Sequence, residues 1–292
     1  MTPAPISTPF RYVNDGGTLS NTSVFYTSAT GVLSTPKEAR VVPAGYPSVS
    51  AMLAQSPFYV AHRGGSLNWP EMSLHGYTQS AYWGVGALEV SLARTKDGVW
   101  LGCHDATLDR TSGTSGFTVS AHTWAEVQAY TITAAATNAA GQPRRPYMRW
   151  EELIAAYYRT HVIFVDPKAA LSYTSELLNM MDACPGTPTE RFVAKYYGVV
   201  NGWPQAASAR GYKGWGYFYQ ADVASLPAYQ GRWDMLGMDY NANQAAWTAV
   251  LSYGKPVIGH IAPSTAAVTT ARNYGARGIM VSGVQQAIPR TP

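Results

Sequence analysis

From Pro57 onward, short apolar runs bounded by glycine, proline or polar turns alternate with longer segments whose apolar residues recur at helical spacing. The short runs predict strands at 58–61, 87–92, 99–103, 162–165, 192–195, 216–219, 235–238, 257–260 and 278–281. The longer segments predict helices at 71–83, 124–129, 150–158, 174–183, 204–210, 245–253 and 265–274. Strand and helix taking turns is the pattern of a parallel sheet covered by helices. The strand candidates exceed by one the eight of a closed barrel, so one of them is a short extra strand or an extended loop.

The first fifty residues break this pattern. Residues 1–50 are rich in Ser, Thr, Gly, Pro and Asn, with β-like patches only at 23–26 and 39–42. They predict an extended arm or a small β-structured adaptor, joined to the domain at 57–292 by a connector at 45–56 with one short helix at 48–54. Between the third and fourth strand candidates lies a long insertion, 105–161, whose stretch 109–145 is rich in Thr, Ser, Ala and Gly. Long insertions at the carboxyl ends of strands are where parallel barrels place their active sites.

Composition narrows the partners. Only 13% of residues are charged, about half the ~25% usual for soluble domains, while aromatics reach 12% with 20 Tyr and 9 Trp. Such a surface suits an extracellular, particle-bound or carbohydrate-facing protein, with a cytoplasmic setting left open. The net charge of +4 includes no basic run longer than Arg144-Arg145, which argues against nucleic acid, since tracking phosphates needs a basic stripe. No stretch reaches the ~18–20 apolar residues of a membrane span, and the amino-terminal residues lack the basic and apolar regions of a signal peptide. The two cysteines, Cys103 and Cys184, read as buried free thiols, with no spacing that suggests a metal knuckle.

Chemistry concentrates at three run ends. His62, Glu89 and His104 each fall at or near the end of one of three consecutive strand-like segments, which would deliver them to the same end of a sheet. Ionisable groups beside a core are costly unless paired, metal-bound or at work. Around them stand His62-Arg63-Gly64-Gly65, Pro70-Glu71-Met72-Ser73, Glu89-Val90-Ser91, Thr95-Lys96-Asp97-Gly98, His104-Asp105, Leu108-Asp109-Arg110-Thr111 and Asp166-Pro167-Lys168. In order and spacing these strings resemble the glycerophosphodiester phosphodiesterase family, densely over 57–170 and more sparsely to the last strand near 275–281.

The resemblance implies a (β/α)8 TIM-type barrel preceded by the Ser/Thr/Gly-rich arm, hydrolysing polyol phosphodiesters with two histidines and a divalent cation, Ca²⁺ or Mg²⁺. Carried over by position, His62 and His104 match the catalytic pair, and Arg63 and Lys168 the phosphate-facing cations. Glu89 and Asp166 match metal carboxylates. Position 91 holds Ser91 where the family has a second metal carboxylate, which leaves at most a weak ligand there. Two imidazoles can serve as general base and general acid because their pKa lies near working pH, and cations can neutralise the phosphate.

Other residues keep open readings. Glu71 stands between a carboxylate in the first turn of a helix and a residue orienting Arg63; Asp105 reads as a hydrogen-bond partner of the site. Asp109 and Arg110 read as a loop ion pair. Lys195 stands between a cation at the barrel mouth and a surface residue. Tyr197, Tyr219 and Tyr240 are candidates to wall a polyol pocket, and His75, His122, His161 and His260 match no motif. The expected substrate is a glycerophosphodiester or a polyol-phosphate polymer such as teichoic acid, the latter in the setting of a bacterial virus tail attached through residues 1–50. A homo-oligomer is left open. Two rivals follow from Ser91 and from related lipases: a polymer-binding module that no longer cuts, and a phospholipase D-type lyase.

Overall fold

The apolar runs fold as strands. In the computed structural model, which describes residues 26–27, 33–34, 44–133 and 143–288, they are β1 (Phe58–Ala61), β2 (Ala87–Arg94), β3 (Val162–Asp166), β4 (Phe192–Tyr197), β5 (Lys213–Tyr217), β6 (Met235–Asp239), β7 (Val257–Ala262) and β8 (Gly278–Val281). Each pairs in parallel with its sequence neighbours, and β8 pairs with β1, so the sheet closes on itself. Helices follow on the outside, among them Leu74–Tyr82, Trp150–Tyr157, Thr174–Asp182, Trp203–Ser208, Gln244–Leu251 and Thr265–Tyr274. The fold is the eight-stranded TIM-type barrel.

The surplus strand candidate is Trp100–Gly102, which runs antiparallel to the end of β2, with Leu92 opposite Gly102 and Arg94 opposite Trp100. The expectation that three consecutive strands deliver His62, Glu89 and His104 in one direction is therefore corrected. Strand β2 overshoots the barrel rim, turns at Thr95–Gly98 with Gly98 at φ 89°, and the chain returns inward to place His104.

Alternation decides what fills the barrel. Phe58, Val60, Ala87, Val162, Phe164, Val193, Trp215, Met235, Ile258 and Met280 form one interior cluster, closed at one end by Val49 and Met52 of the helix Val49–Ala54. Side chains on a strand alternate in face, so continuing the same parity brings Glu89 and Ser91 on β2, Asp166 on β3, Lys195 on β4, Tyr217 on β5 and His260 on β7 into the barrel interior. The opposite parity, including Leu88, Val90, Ile163, Val165, Ala194 and Leu236, packs under the helices. The insertion after His104 packs Leu108, Val119, Val127, Ile132 and Tyr147 against Ala93, Leu101 and Cys103 in a small separate core.

The chain divides into two units, Met1–Val41 and Val42–Pro292. In the first, Tyr26–Thr27 pairs antiparallel with Leu33–Ser34; the patch at 39–42 lies outside the described residues. No helix among the described residues is long and apolar enough to cross a membrane. Cys103 is buried and unpaired as expected, whereas Cys184 is only half-buried.

Glycine on the outer face of β5 lets an indole lie flat against the sheet. A Cβ added at Gly216 would meet the Trp233 ring at 2.5 Å, whereas one added at Gly231 would meet nothing within 4 Å. Gly216→Ala should therefore lower the unfolding free energy by about 1–3 kcal/mol in denaturant titration, the range for an overpacked contact. Gly231→Ala should stay within about 0.5 kcal/mol of the parent.

Candidate active site

The chain leaves β1 in a conformation that aims His62 inward. Arg63 adopts φ 50°, and Gly64 and Gly65 follow at φ 71° and 83°. Side chains at the two glycines would strike Tyr77 and the Trp69 ring. A non-glycine residue held left-handed costs about 1–3 kcal/mol. Here it is fixed by the Arg63 N–H donating to Glu89 Oε2 at 2.8 Å and by Met72 N–H donating to Arg63 O at 2.8 Å. Backbone strain at this corner is thus tied to a buried carboxylate on the next strand.

His62, Arg63, His104, Lys168 and Lys195 line one cleft of about 340 Å³ at the barrel mouth, with Trp215, Tyr217, Tyr219, His260, Ile261 and Met280 completing its wall. The two histidines and the two cations singled out from sequence therefore meet in one place. His62 is buried, and its Nδ1 has no partner among the described residues. Burial first, then the Arg63 charge, depresses its pKa well below the usual histidine value. His104 is more open; burial and the Arg63 charge lower its pKa, against the raising effect of Asp105.

The His104 tautomer is set by its neighbour. Nδ1 stands 2.8 Å from Asp105 Oδ1, and a carboxylate only accepts, so Nδ1 donates, which in the neutral ring leaves the lone pair on Nε2. Asp105 Oδ2 in turn accepts from Arg110 Nε at 2.6 Å. Arg110 then grips Glu71 with both terminal nitrogens, at 2.7 and 3.0 Å. Glu71 Oε2 also accepts from Arg63 at 3.3 Å. An unbroken chain of charge-assisted bonds thus runs from His104 to Arg63. Glu71 precedes the helix Leu74–Tyr82, whose cap is Ser73, so the first-turn reading falls and the orienting one takes its place. The loop pair expected of Asp109 and Arg110 is also corrected, because Asp109 instead binds Thr114 and the N–H groups of Gly116 and Phe117.

Beneath the histidines lie the residues expected to hold a metal. Glu89 and Asp166 are fully buried, and Lys195, with its side chain 6% exposed, stands between them at 2.9 and 2.6 Å. Burial works against the Glu89 charge, but Lys195, His62 and Arg63 together hold its carboxyl well below the usual range. Burial likewise opposes the Lys195 charge, and Asp166 and Glu89 override it and raise its pKa. Ser91 Oγ donates to Glu89 Oε1 at 3.0 Å. Among the described residues no group of three or more His, Cys, Asp or Glu is placed to hold a metal ion. The donor set that the resemblance assigns to Ca²⁺ or Mg²⁺ does not fit one, because its carboxylates already converge on an ammonium.

Lys168 lies at the rim. Its Nζ donates to Tyr217 Oη at 2.8 Å, its N–H donates to Asp166 Oδ1 at 3.0 Å, and burial lowers its pKa. The aromatic wall is made by Trp215, Tyr217 and Tyr219. Tyr197 packs behind it at a tilt, with ring centroids 5.8 and 6.1 Å from Tyr217 and Tyr219. Tyr240 does not line the cleft. Sequence reasoning missed His260, which lines it from β7. The signal available was parity: His260 falls two residues beyond the interior Ile258.

These features coincide with known proteins. The model of the Glycerophosphoryl diester phosphodiesterase family matches residues 62–165. The chain is 40% identical over 77 residues to the "Probable glycerophosphodiester phosphodiesterase 1" of Mycobacterium tuberculosis, covering 26% of this chain and 28% of that protein. It is 42% identical over 57 residues to glycerophosphodiester phosphodiesterase 1 of Bos taurus, covering 20% and 17%. The match thus spans less than a third of these relatives' length. Among solved structures, an Oleispira antarctica phosphodiesterase in complex with the product sn-glycerol-3-phosphate superposes with a TM-score of 0.65 at 15% identity, covering 80% of this chain and 95% of that one. A glycerophosphoryl diester phosphodiesterase from Parabacteroides distasonis gives 0.63 at 18% identity, covering 85% and 95%. Residues 62–165 thus match the model of the glycerophosphoryl diester phosphodiesterase family, and the barrel around them is the fold that those structures share.

His260 carries a prediction of its own. Nε2 stands 3.0 Å from Phe218 O and Nδ1 3.9 Å from Asp239, with Tyr217 and Tyr219 against the ring and Lys195 and Asp222 acting on it through space. Burial pushes its pKa down to about 4. Between 6.5 and that value the unfolded chain carries a proton that the folded one refuses, so stability falls as pH falls. At up to ~1.4 kcal/mol per pH unit, lowering pH from 7 to 5 should cost about 2 kcal/mol through this group. His62 and other groups titrate in both proteins, so the readout is the difference in denaturation free energy between the parent and His260→Gln. The variant should lose less.

Proposed function

We propose that this barrel hydrolyses glycerophosphodiesters by general acid–base catalysis between His62 and His104. The observation that carries the reading is the meeting of two imidazoles and the cations Arg63, Lys168 and Lys195 in one cleft. A phosphodiester carries one negative charge, and its displacement by water loads further charge onto the phosphoryl oxygens and the leaving oxygen. Arg63, Lys168 and Lys195 are placed to neutralise that charge without reorganising. One imidazole takes a proton from water as its oxygen bonds to phosphorus. The other must first be protonated, a state that the bound phosphate anion favours, and as an imidazolium it gives its proton to the departing alkoxide while the P–O bond breaks, so the products are an alcohol and a phosphomonoester.

The fixed network from His104 to Arg63 supports this reading, because it holds an acid–base group and a phosphate cation by one set of bonds. Support also comes from the family match and from the Oleispira antarctica phosphodiesterase, whose structure is in complex with the product sn-glycerol-3-phosphate. Tyr219, the exposed ring of the aromatic wall, offers a face to the C–H surface of a polyol. The low charge of the chain fits a polyol-phosphate polymer such as teichoic acid as well as a small glycerophosphodiester. In that setting residues 1–50 would attach the barrel to a virion or cell surface.

The test is release of phosphomonoester from a small glycerophosphodiester and from teichoic acid. His62→Ala and His104→Ala should each lower kcat by about 10²–10⁴, the usual contribution of a positioned acid or base. Binding of polymer without release, unchanged by His62→Ala, would instead make the barrel a polymer-binding module. Formation of a cyclic phosphate would make it a lyase. Glu71→Gln tests the network: it keeps the shape but weakens both arginine bonds, and should raise KM and lower kcat together by about tenfold. An unchanged kcat in that variant would mean the network only holds the fold.

A further inference from the structure

The floor of the cleft is already electrostatically complete. Lys195 Nζ bonds Glu89 Oε1 at 2.9 Å and Asp166 Oδ2 at 2.6 Å. The other oxygen of each carboxylate is engaged too, Glu89 Oε2 by the Arg63 N–H at 2.8 Å and Asp166 Oδ1 by the Lys168 N–H at 3.0 Å. Ser91 donates its proton to Glu89 Oε1 and, being neutral, adds no negative charge to the floor. A hard divalent ion needs oxygen ligands at about 2.0–2.6 Å. Here it would have to expel a buried ammonium, or lie against it and be repelled. Expelling it would leave Lys195 charged in the barrel interior with no counter-ion, which is costly.

We propose that Lys195 is the resident cation of this site, and that its ammonium, gripped by Glu89 and Asp166, does the electrostatic work at the phosphate that a bound divalent ion would otherwise do. Two carboxylates and one ammonium sum to the same charge as three carboxylates and a divalent ion, so a neutral side chain at Ser91 and a lysine at 195 make one consistent set. An ammonium has three N–H donors; two go to the carboxylates, and Lys195 lines the cleft where the phosphate would sit. A cation borne on a strand and clamped on two sides is positioned before the substrate arrives. The inference rests on the phosphodiesterase reading for its chemistry, but on the ammonium's place alone for the exclusion of metal.

Two measurements on the full chain, stripped with EDTA and desalted, separate these. Calorimetric titration with CaCl₂ or MgCl₂ up to ~1 mM, the range of weak oxygen sites, should give no saturable heat. Turnover of a glycerophosphodiester should be undiminished in EDTA and unstimulated by either ion. Lys195→Met, which keeps the stem and removes the charge, should lose about 10²–10³ in kcat with little change in KM, as for loss of one transition-state donor. The paired variant Ser91→Asp with Lys195→Ala should gain saturable metal binding. Stoichiometric binding by the parent, or turnover lost in EDTA and restored by metal, would overturn the inference. Absence of turnover under every condition would defeat the phosphodiesterase reading, while the calorimetry would still decide whether the ammonium holds the metal's place.

Discussion

The ion triad of Glu89, Lys195 and Asp166 is the constraint around which the mouth of the barrel is organised. Two carboxylates cannot be stripped of water side by side unless a cation joins them, because desolvation and mutual repulsion both oppose it. Lys195 supplies that cation from the adjacent strand. The triad then reaches outward through the backbone: Glu89 fixes the N–H of Arg63, and Asp166 fixes the N–H of Lys168. Both cations at the rim are therefore positioned by carboxylates that never touch solvent.

This arrangement follows from strand parity. Ala87, Glu89 and Ser91 share one face of β2, and Val162, Phe164 and Asp166 share one face of β3, with Ser91 opposite Asp166 in register. The lower interior positions are apolar and pack as a core; the upper ones are polar and make a site. Moving any strand by one residue would swing its charge outward beneath a helix, where nothing could pair it. The same alternation that fills the barrel thus places its chemistry, and the charges in turn penalise a slipped register.

Much of this was readable from residues, and the limits were physical. Strands β1 and β8 coincide with their expected bounds, because glycine, proline or polar turns delimit each short apolar run. Strand β5 does not: 216–219 was expected and Lys213–Tyr217 forms, since Gly214 and Gly216 thin its apolar pattern while Trp233 supplies the packing from a distant segment. His62, His104, Arg63 and Lys168 stand out in local strings near strand ends, and all four line one cleft. Lys195 was left between mouth and surface because its partners are 106 and 29 residues away. The link from Glu71 to Arg110 spans 39 residues that include a helix and two strands, and no local pattern encodes it; pairing Arg110 with the adjacent Asp109 was the natural error.

The network at the rim explains why the long insertion after His104 belongs to the site and is not merely attached to it. The returning segment that carries His104 is outside the barrel ladder, so the closed sheet alone does not fix the imidazole. Three bonds do so instead: Asp105 to its ring, Arg110 to Asp105, and Glu71 to Arg110. Glu71 comes from the β1 side of the barrel, as does Arg63, so both histidines are referred to a single corner of the chain. Arg110 is partly exposed while Glu71 is nearly buried, which is the gradient expected where an inserted loop is pinned to a rigid mouth. Bidentate geometry adds direction to that pin, since a planar guanidinium fits a carboxylate in one orientation. The triad below sets the charge of the cleft, and this chain above sets the position of its second imidazole.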